Sequence, residues 1–213
     1  MEKKLFLTSA GLTPEMLPSF LSLLDDDPPN LRVAHIANAN DRDWSRFFPD
    51  KTVNHLVGLG FNVEKVDLRR QSAEEIYQTL EAKDIIYIGG GNTFYLLNLL
   101  RQRKLNEILS DLIGEGKVYL GASAGSIVAG PDITPASWKP FGDKNSNKMT
   151  ELSGLNLVNF STLPHYLPEF ESLIRGQKQA FSHRVYCLSN GQAVSVVGDH
   201  HEVIGEGNSL DLV

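Results

Sequence analysis

Short apolar runs alternate along the chain with longer segments whose apolar residues recur every three to four positions. That alternation predicts buried, mostly parallel strands connected by helices. Strands are expected at 4–8, 32–37, 62–67, 84–88 and 117–120, with helices near 14–24, 44–59, 73–82 and 94–113. The last helix is long, and the polar stretch 101–104 is expected to break it in two. After Gly130 the period disappears through Met149 in a segment rich in Pro, Gly, Asn and Ser, which reads as a functional loop or lid. A strand at 157–160, a helix near 169–180 and three closely spaced strands at 185–188, 193–197 and 202–204 complete the pattern. The short spacing of the last three predicts antiparallel pairing. The expected architecture is a three-layer α/β/α domain over 1–213 with a mostly parallel sheet.

Size and charge narrow the function classes. A chain of 213 residues and 23.6 kDa can bury one sizeable core and is short for two. The formal charge of -6 comes with no basic stripe carrying interleaved aromatics, so a nucleic-acid surface is not expected. No run of about 18 apolar residues exists to span a bilayer, and the opening segment is too short for a signal peptide, so membrane association is not expected and a cytoplasmic location is. The single cysteine, Cys187, lies in the apolar run Val185-Tyr186-Cys187-Leu188 and reads as a core residue with no disulfide partner in the chain.

In folds of this kind ligands lie beyond the carboxyl ends of the strands, and three post-strand positions carry chemistry. Gly121-Ala122-Ser123-Ala124-Gly125 ends an apolar run, where small neighbours allow a sharp strand-to-helix turn that exposes the Ser123 hydroxyl and aims the Ala124 amide at a developing oxyanion. Gly89-Gly90-Gly91-Asn92-Thr93-Phe94 follows the fourth strand: its glycines permit close backbone approach, and Asn92 can cap the next helix. The dinucleotide fingerprint is incomplete there, and an oxyanion hole at Gly90 and Gly91 fits better, with Asn92 and Thr93 expected to contact substrate. The third position is His165, in Thr162-Leu163-Pro164-His165-Tyr166, placed to act as a general base.

The other histidines read differently. His35 falls inside a strand, His55 in a helix and His183 in a polar linker, while the adjacent pair His200-His201 points to opposite faces of an extended segment and cannot easily share an ion. Neither a metal nor a cofactor is expected. A serine-histidine pair needs a third group to orient the imidazole. The acids Glu169, Glu171, Asp199, Glu202 and Glu206 lack post-strand context, whereas Asn190 has it, although Ser189-Asn190-Gly191 also reads as a hairpin turn.

Taken in order, Gly-Gly-Gly-Asn-Thr, Gly-Ala-Ser-Ala-Gly-Ser and Pro-His-Tyr resemble the peptidase E (aspartyl dipeptidase) and cyanophycinase family of serine peptidases, over nearly the whole chain. The resemblance implies a class I glutamine-amidotransferase-like (flavodoxin-like) fold and no cofactor. It implies Ser123 as nucleophile, His165 as base, Gly91 with Ala124 as oxyanion donors, and small peptide substrates with an N-terminal aspartate. In that family the third catalytic residue is an acid in a Leu-x-Glu-Gly pattern, and the matching segment here is Leu188-Ser189-Asn190-Gly191. Asn190 can hold the ring but brings no charge, and the Asp-to-Asn exchange in a chymotrypsin-type triad costs roughly 10⁴ in turnover. The lid offers only Lys139, Lys144 and Lys148 to an aspartyl side chain. Impaired turnover or altered specificity is therefore expected.

Three readings stay open at this point. The first is a serine peptidase acting on small peptides, the second a peptide-binding homologue with little or no turnover, and the third an esterase or deacylase. Chain order weighs against the third, because an α/β-hydrolase usually places its histidine after its acid. Monomer and homodimer are both open.

Overall fold

Which side chain of each strand faces which layer is dictated by the period-two alternation of a pleated strand. In β1 (Lys4–Thr8), Leu5 and Leu7 pack into one core cluster and Phe6 into another. The same split runs through β2 (Arg32–Ile36), with Ala34 and Ile36 against Val33, and β4 (Ile85–Ile88), with Ile86 and Ile88 against Ile85 and Tyr87. It continues in β5 (Val118–Ala122), where Tyr119 opposes Val118 and Leu120. A sheet apolar on both faces must be covered on both, which gives three layers.

The computed structural model describes residues 1–41 and 50–213. Helices α3 (Ala73–Glu81), α4 (Thr93–Gln102), α5 (Leu105–Gly114) and α6 (Ala124–Val128) contribute to the first cluster, and α1 (Leu17–Leu21) and α2 (Lys51–Gly58) to the second. With β3 (Asn62–Val66), β8 (Gln192–Val197) and β9 (His200–Gly205), the main sheet has the order β3-β2-β4-β5-β1-β8-β9. Its β3-β2-β4-β5-β1 part is parallel, and β8 and β9 add antiparallel pairs at one edge. A smaller sheet, β10-β7-β6, joins β6 (Ser161–Leu163), β7 (Val185–Leu188) and β10 (Ser209–Leu212). It packs with α7 (Glu171–Lys178) around Trp138, Tyr166, Ile174 and Cys187. The fold is three-layer α/β, as the strand-helix alternation predicts.

Local differences have physical causes. The expected helix at 94–113 is two helices, α4 and α5, separated at 103–104 by Lys104 in a left-handed conformation (φ 55°). The expected strand at 157–160 is absent, and the strand begins at Ser161. Leu157, Val158 and Phe160 are buried for a different reason: the Leu157 amide bonds the Ala129 carbonyl at the end of α6, so the run packs against a helix instead of joining a ladder. Of the expected helix at 44–59, 44–49 lie outside the described residues, and α2 accounts for most of the rest. Ser189-Asn190-Gly191 is not a hairpin turn, because β7 and β8 belong to different sheets. Cys187 is buried, and desolvation pushes its thiol up to about 12. No helix among the described residues is long and apolar enough to cross a membrane.

Candidate active site

The elbow between β5 and α6 is built by steric exclusion. A Cβ at Gly125 would lie 2.0 Å from the Ile88 carbonyl oxygen, and one at Gly121 would lie 2.9 Å from the Ser126 amide nitrogen. Only glycine lets α6 approach β4 and β5 this closely. Ser123 between them takes φ 50° and ψ -108°, a conformation that costs a non-glycine residue about 1–3 kcal/mol and needs surrounding contacts to hold it. Those contacts come from the end of β1: the Ser123 amide (3.1 Å) and Ser126 Oγ (2.8 Å) both donate to the Thr8 carbonyl, and Thr8 Oγ1 donates to the Gly121 carbonyl (2.7 Å). Tyr119, fully buried, donates its hydroxyl to the Gly125 carbonyl at 2.6 Å.

Three residues expected from the sequence come together here. His165 Nε2 lies 2.9 Å from Ser123 Oγ, and His165 Nδ1 lies 2.7 Å from Asn190 Oδ1. Because Oδ1 only accepts, it fixes the proton on Nδ1 and leaves the Nε2 lone pair facing the serine hydroxyl. The Ala124 amide opens α6, so it is one of the first-turn donors without an intrahelical partner. On the facing loop Gly91 has φ 135°, and a Cβ there would sit 2.3 Å from the Ala39 carbonyl group. A Cβ at Gly90 would stand 3.2 Å from Ser123 Cβ, which places this loop directly against the elbow.

The sequence matches Peptidase family S51 over residues 5–204. The chain belongs to that family. An uncharacterized peptidase of Listeria monocytogenes is 32% identical over 199 residues, covering 92% of this chain and 95% of its own. A peptidase E of a Nostoc species is 31% identical over 135 residues, covering 63% of this chain and 52% of its own. Among solved structures, one described as a peptidase E protein of Listeria monocytogenes superposes with a TM-score of 0.83 at 30% identity, covering 97% of this chain and 100% of that one. A peptidase from an acI-B1 Actinobacterium shares the fold at a TM-score of 0.74 and 17% identity, covering 100% and 94%.

Two clefts meet at Ser123 and His165 in this S51 peptidase. One is mostly apolar and bounded by Ile127, Trp138, Pro140, Phe141, Phe170 and Ile174. The expected lid therefore forms one wall. It is pinned to α4, where Asp143 accepts the Thr93 amide (2.8 Å) and Asn92 Nδ2 donates to the Lys144 carbonyl (3.1 Å). Asn92 also caps α4 through the Tyr95 amide, and Thr93 is fully buried. Neither residue expected to contact substrate lines either cleft, and both hydrogen-bond to the protein's own loop. The second cleft has a larger share of polar lining residues, among them Asp50, Lys51 and Tyr87, beside Gly90 and Gly91.

Sequence reasoning missed Ser9, Asp50 and Tyr87. Fully buried Ser9 ties the site together: its Oγ accepts the His165 amide (2.8 Å) and donates to the Leu188 carbonyl (2.9 Å), which also accepts the Tyr166 amide (2.9 Å). One hydroxyl thus joins the end of β1 to the histidine loop and to the strand leading to Asn190, and helps hold His165 at φ 61°. The signal was present, since Ser9 directly follows β1 and post-strand positions carry the chemistry elsewhere. Ser9→Ala leaves the part-buried His165 amide without its partner and takes one of two donors from the Leu188 carbonyl, at a cost of about 1–3 kcal/mol. It is expected to lower the maximal rate of Ser123 phosphonylation about tenfold with little change in probe affinity. Inactivation kinetics over a range of probe concentrations check this.

Two other histidines have ring partners away from Ser123. His35 is buried in β2 and stacked on Tyr87 with ring centroids 4.7 Å apart, and His201 Nε2 lies 2.9 Å from the Tyr186 hydroxyl. The late acids Glu202 and Glu206 belong to β9 and the turn after it, away from both clefts.

Proposed function

We propose that this S51 peptidase is a serine peptidase acting on small peptides, with Ser123 as nucleophile, His165 as general base and Asn190 as the group that orients the imidazole. The reading rests on the relay Asn190 Oδ1···Nδ1 His165 Nε2···Oγ Ser123, with contacts of 2.7 and 2.9 Å. Ser123 Oγ attacks the scissile carbonyl carbon while Nε2 takes its proton. The tetrahedral oxyanion is received by the Ala124 and Gly91 amides, with Gly90 shaping the approach. His165 then returns the proton to the leaving amine, and water repeats the sequence on the acyl-enzyme to release the acid and free the serine. The apolar lining of the first cleft suits a hydrophobic side chain beside the scissile bond.

A second reading is favoured by one observation. Asn190 is uncharged, so the imidazolium formed in the transition state lacks the carboxylate that the sequence resemblance implies, and a peptide-binding protein with slow turnover follows.

A fluorophosphonate separates the possibilities. Ser123 is expected to be the single labelled serine by intact mass and peptide mapping, and Ser123→Ala is expected to lose the label. Equal labelling of the alanine variant would place the nucleophile elsewhere. Labelling without hydrolysis of any dipeptide, ester or acyl-lysine substrate would favour the binding reading.

A further inference from the structure

The polar cleft beside Ser123 has a single carboxylate among its described lining residues, Asp50. Its side chain is only 25% exposed. Oδ1 accepts the Thr52 and Val53 amides at 2.9 and 3.2 Å, and Oδ2 accepts the Tyr87 hydroxyl at 2.9 Å. Behind it, buried His35 brings Nε2 to 3.4 Å from Oδ2 and finds no hydrogen-bond partner there. The Thr52, Val53 and Tyr87 donors are neutral and hold the carboxylate in place, while His35, the neighbour whose charge bears on it, does not line the cleft. Burial works to raise the Asp50 carboxyl, but the contacts from His35, Tyr87 and the Val53 amide outweigh it and leave it below its ordinary value.

Position relative to the serine follows from the glycine loop. A Cβ on Gly89 would lie 3.5 Å from Asp50 Oδ2, and a Cβ on the next residue, Gly90, would lie 3.2 Å from Ser123 Cβ. The carboxylate and the nucleophile therefore flank two consecutive residues of the glycine loop, and both line the same cleft. Lys51 also lines the cleft, but it is exposed at the start of α2, where water and salt screen it. Asp50 is the better shielded of the two charges and weighs more on a bound group.

Building on the serine peptidase reading, we propose that Asp50 makes this cleft a subsite for an ammonium group of the substrate and opposes a carboxylate there. An ammonium gains a charge-assisted contact in a partly dehydrated cleft, while an aspartyl side chain meets a like charge that cannot move away. The selection therefore runs against the aspartyl preference implied by the sequence resemblance. The ammonium has two sources, a free α-amino terminus or a lysyl side chain.

Calorimetric binding to Ser123→Ala distinguishes them without any turnover, so failure of the subsite and failure of the nucleophile assignment are separate results. The probes are Ala-Leu, Lys-Leu, Asp-Leu and N-acetyl-Ala-Leu, which share a leucine for the apolar cleft. Each is measured with Asp50 intact and with Asp50→Asn, which keeps the cap of α2. Lys-Leu, which carries both candidate ammonium groups, is expected to bind more tightly than Asp-Leu and to weaken about tenfold or more in Asp50→Asn, with Asp-Leu weakening least and Ala-Leu following Lys-Leu only if the α-amino group is read. If the α-amino group is the one read, N-acetyl-Ala-Leu binds weakly and is indifferent to the substitution. If the lysyl group is read, only Lys-Leu shows the loss. Affinities left unchanged by Asp50→Asn, tighter binding of Asp-Leu, or no measurable binding of any probe would overturn the proposal.

Discussion

Asn190→Asp is expected to speed acylation of Ser123 by roughly 10²-fold. The structure favours aspartate over the longer glutamate, because Asn190 Oδ1 already sits 2.7 Å from His165 Nδ1 and the isosteric carboxylate inherits that position. The upper bound is the roughly 10⁴ that separates Asp from Asn in a serine triad. The expected gain is smaller because His165 and Asn190 are exposed, and solvent screens the added charge. Asn190→Glu should gain less, since one extra methylene pushes the ring or the loop out of register. Asn190→Ala should lose about tenfold or more relative to wild type through the freed imidazole. The measurement is the second-order rate of fluorophosphonate inactivation, which needs no knowledge of the natural substrate. An opposite charge beside the imidazole favours its protonated form, so the acidic limb of the rate profile should move to higher pH in Asn190→Asp. A purely structural effect would leave that limb in place. Unchanged rates in Asn190→Ala would mean that another residue completes the relay.

Gly125→Ala is expected to be the most damaging single-methyl substitution in the elbow. The added carbon would lie 2.0 Å from the Ile88 carbonyl oxygen and 2.8 Å from the Ile88 carbonyl carbon, both backbone atoms of a central strand that cannot swing aside as a side chain could. Separating α6 from β4 to relieve this should cost about 3 kcal/mol or more. For a chain of this size that corresponds to a fall in Tm of roughly 6–12 °C. The same shift should displace Ser123 and suppress phosphonate labelling. Gly176→Ala is the control: Gly176 lies within α7, has open space where a Cβ would go, and should be neutral or stabilising by up to about 1 kcal/mol. Paired thermal unfolding and labelling measurements check both. Equal stability of the two variants would show that α6 is not held against β4 as tightly as the backbone distances require.

Helix starts near these sites follow from residue type. Ser72 and Glu75 form a reciprocal capping box at the start of α3, and Asp50 caps α2. Such local devices set where helices begin. They do not say which loops meet.

The sequence by itself determined the layers and the local chemistry of this protein. Period-two apolar positions in β1, β2, β4 and β5 required helices on both faces, and Gly121, Ser123 and Gly125 marked the elbow because backbone sterics leave few sequences that can make it. His165 and Asn190 were legible because each follows a strand. What pairs with what was decided only in three dimensions. Ser123, His165, Asn190 and Ser9 are separated by up to 181 positions, yet Ser9 joins the loops carrying His165 and Asn190 through two hydrogen bonds of one hydroxyl. The Ser189-Asn190-Gly191 turn looked like a hairpin because local propensity cannot register that β7 and β8 enter different sheets. The charge of the polar cleft was hidden for the same reason. Asp50 reads locally as a helix cap, and only the packing of α2 beside β2 and β4 brings its carboxylate against Tyr87 and the glycine loop that faces Ser123.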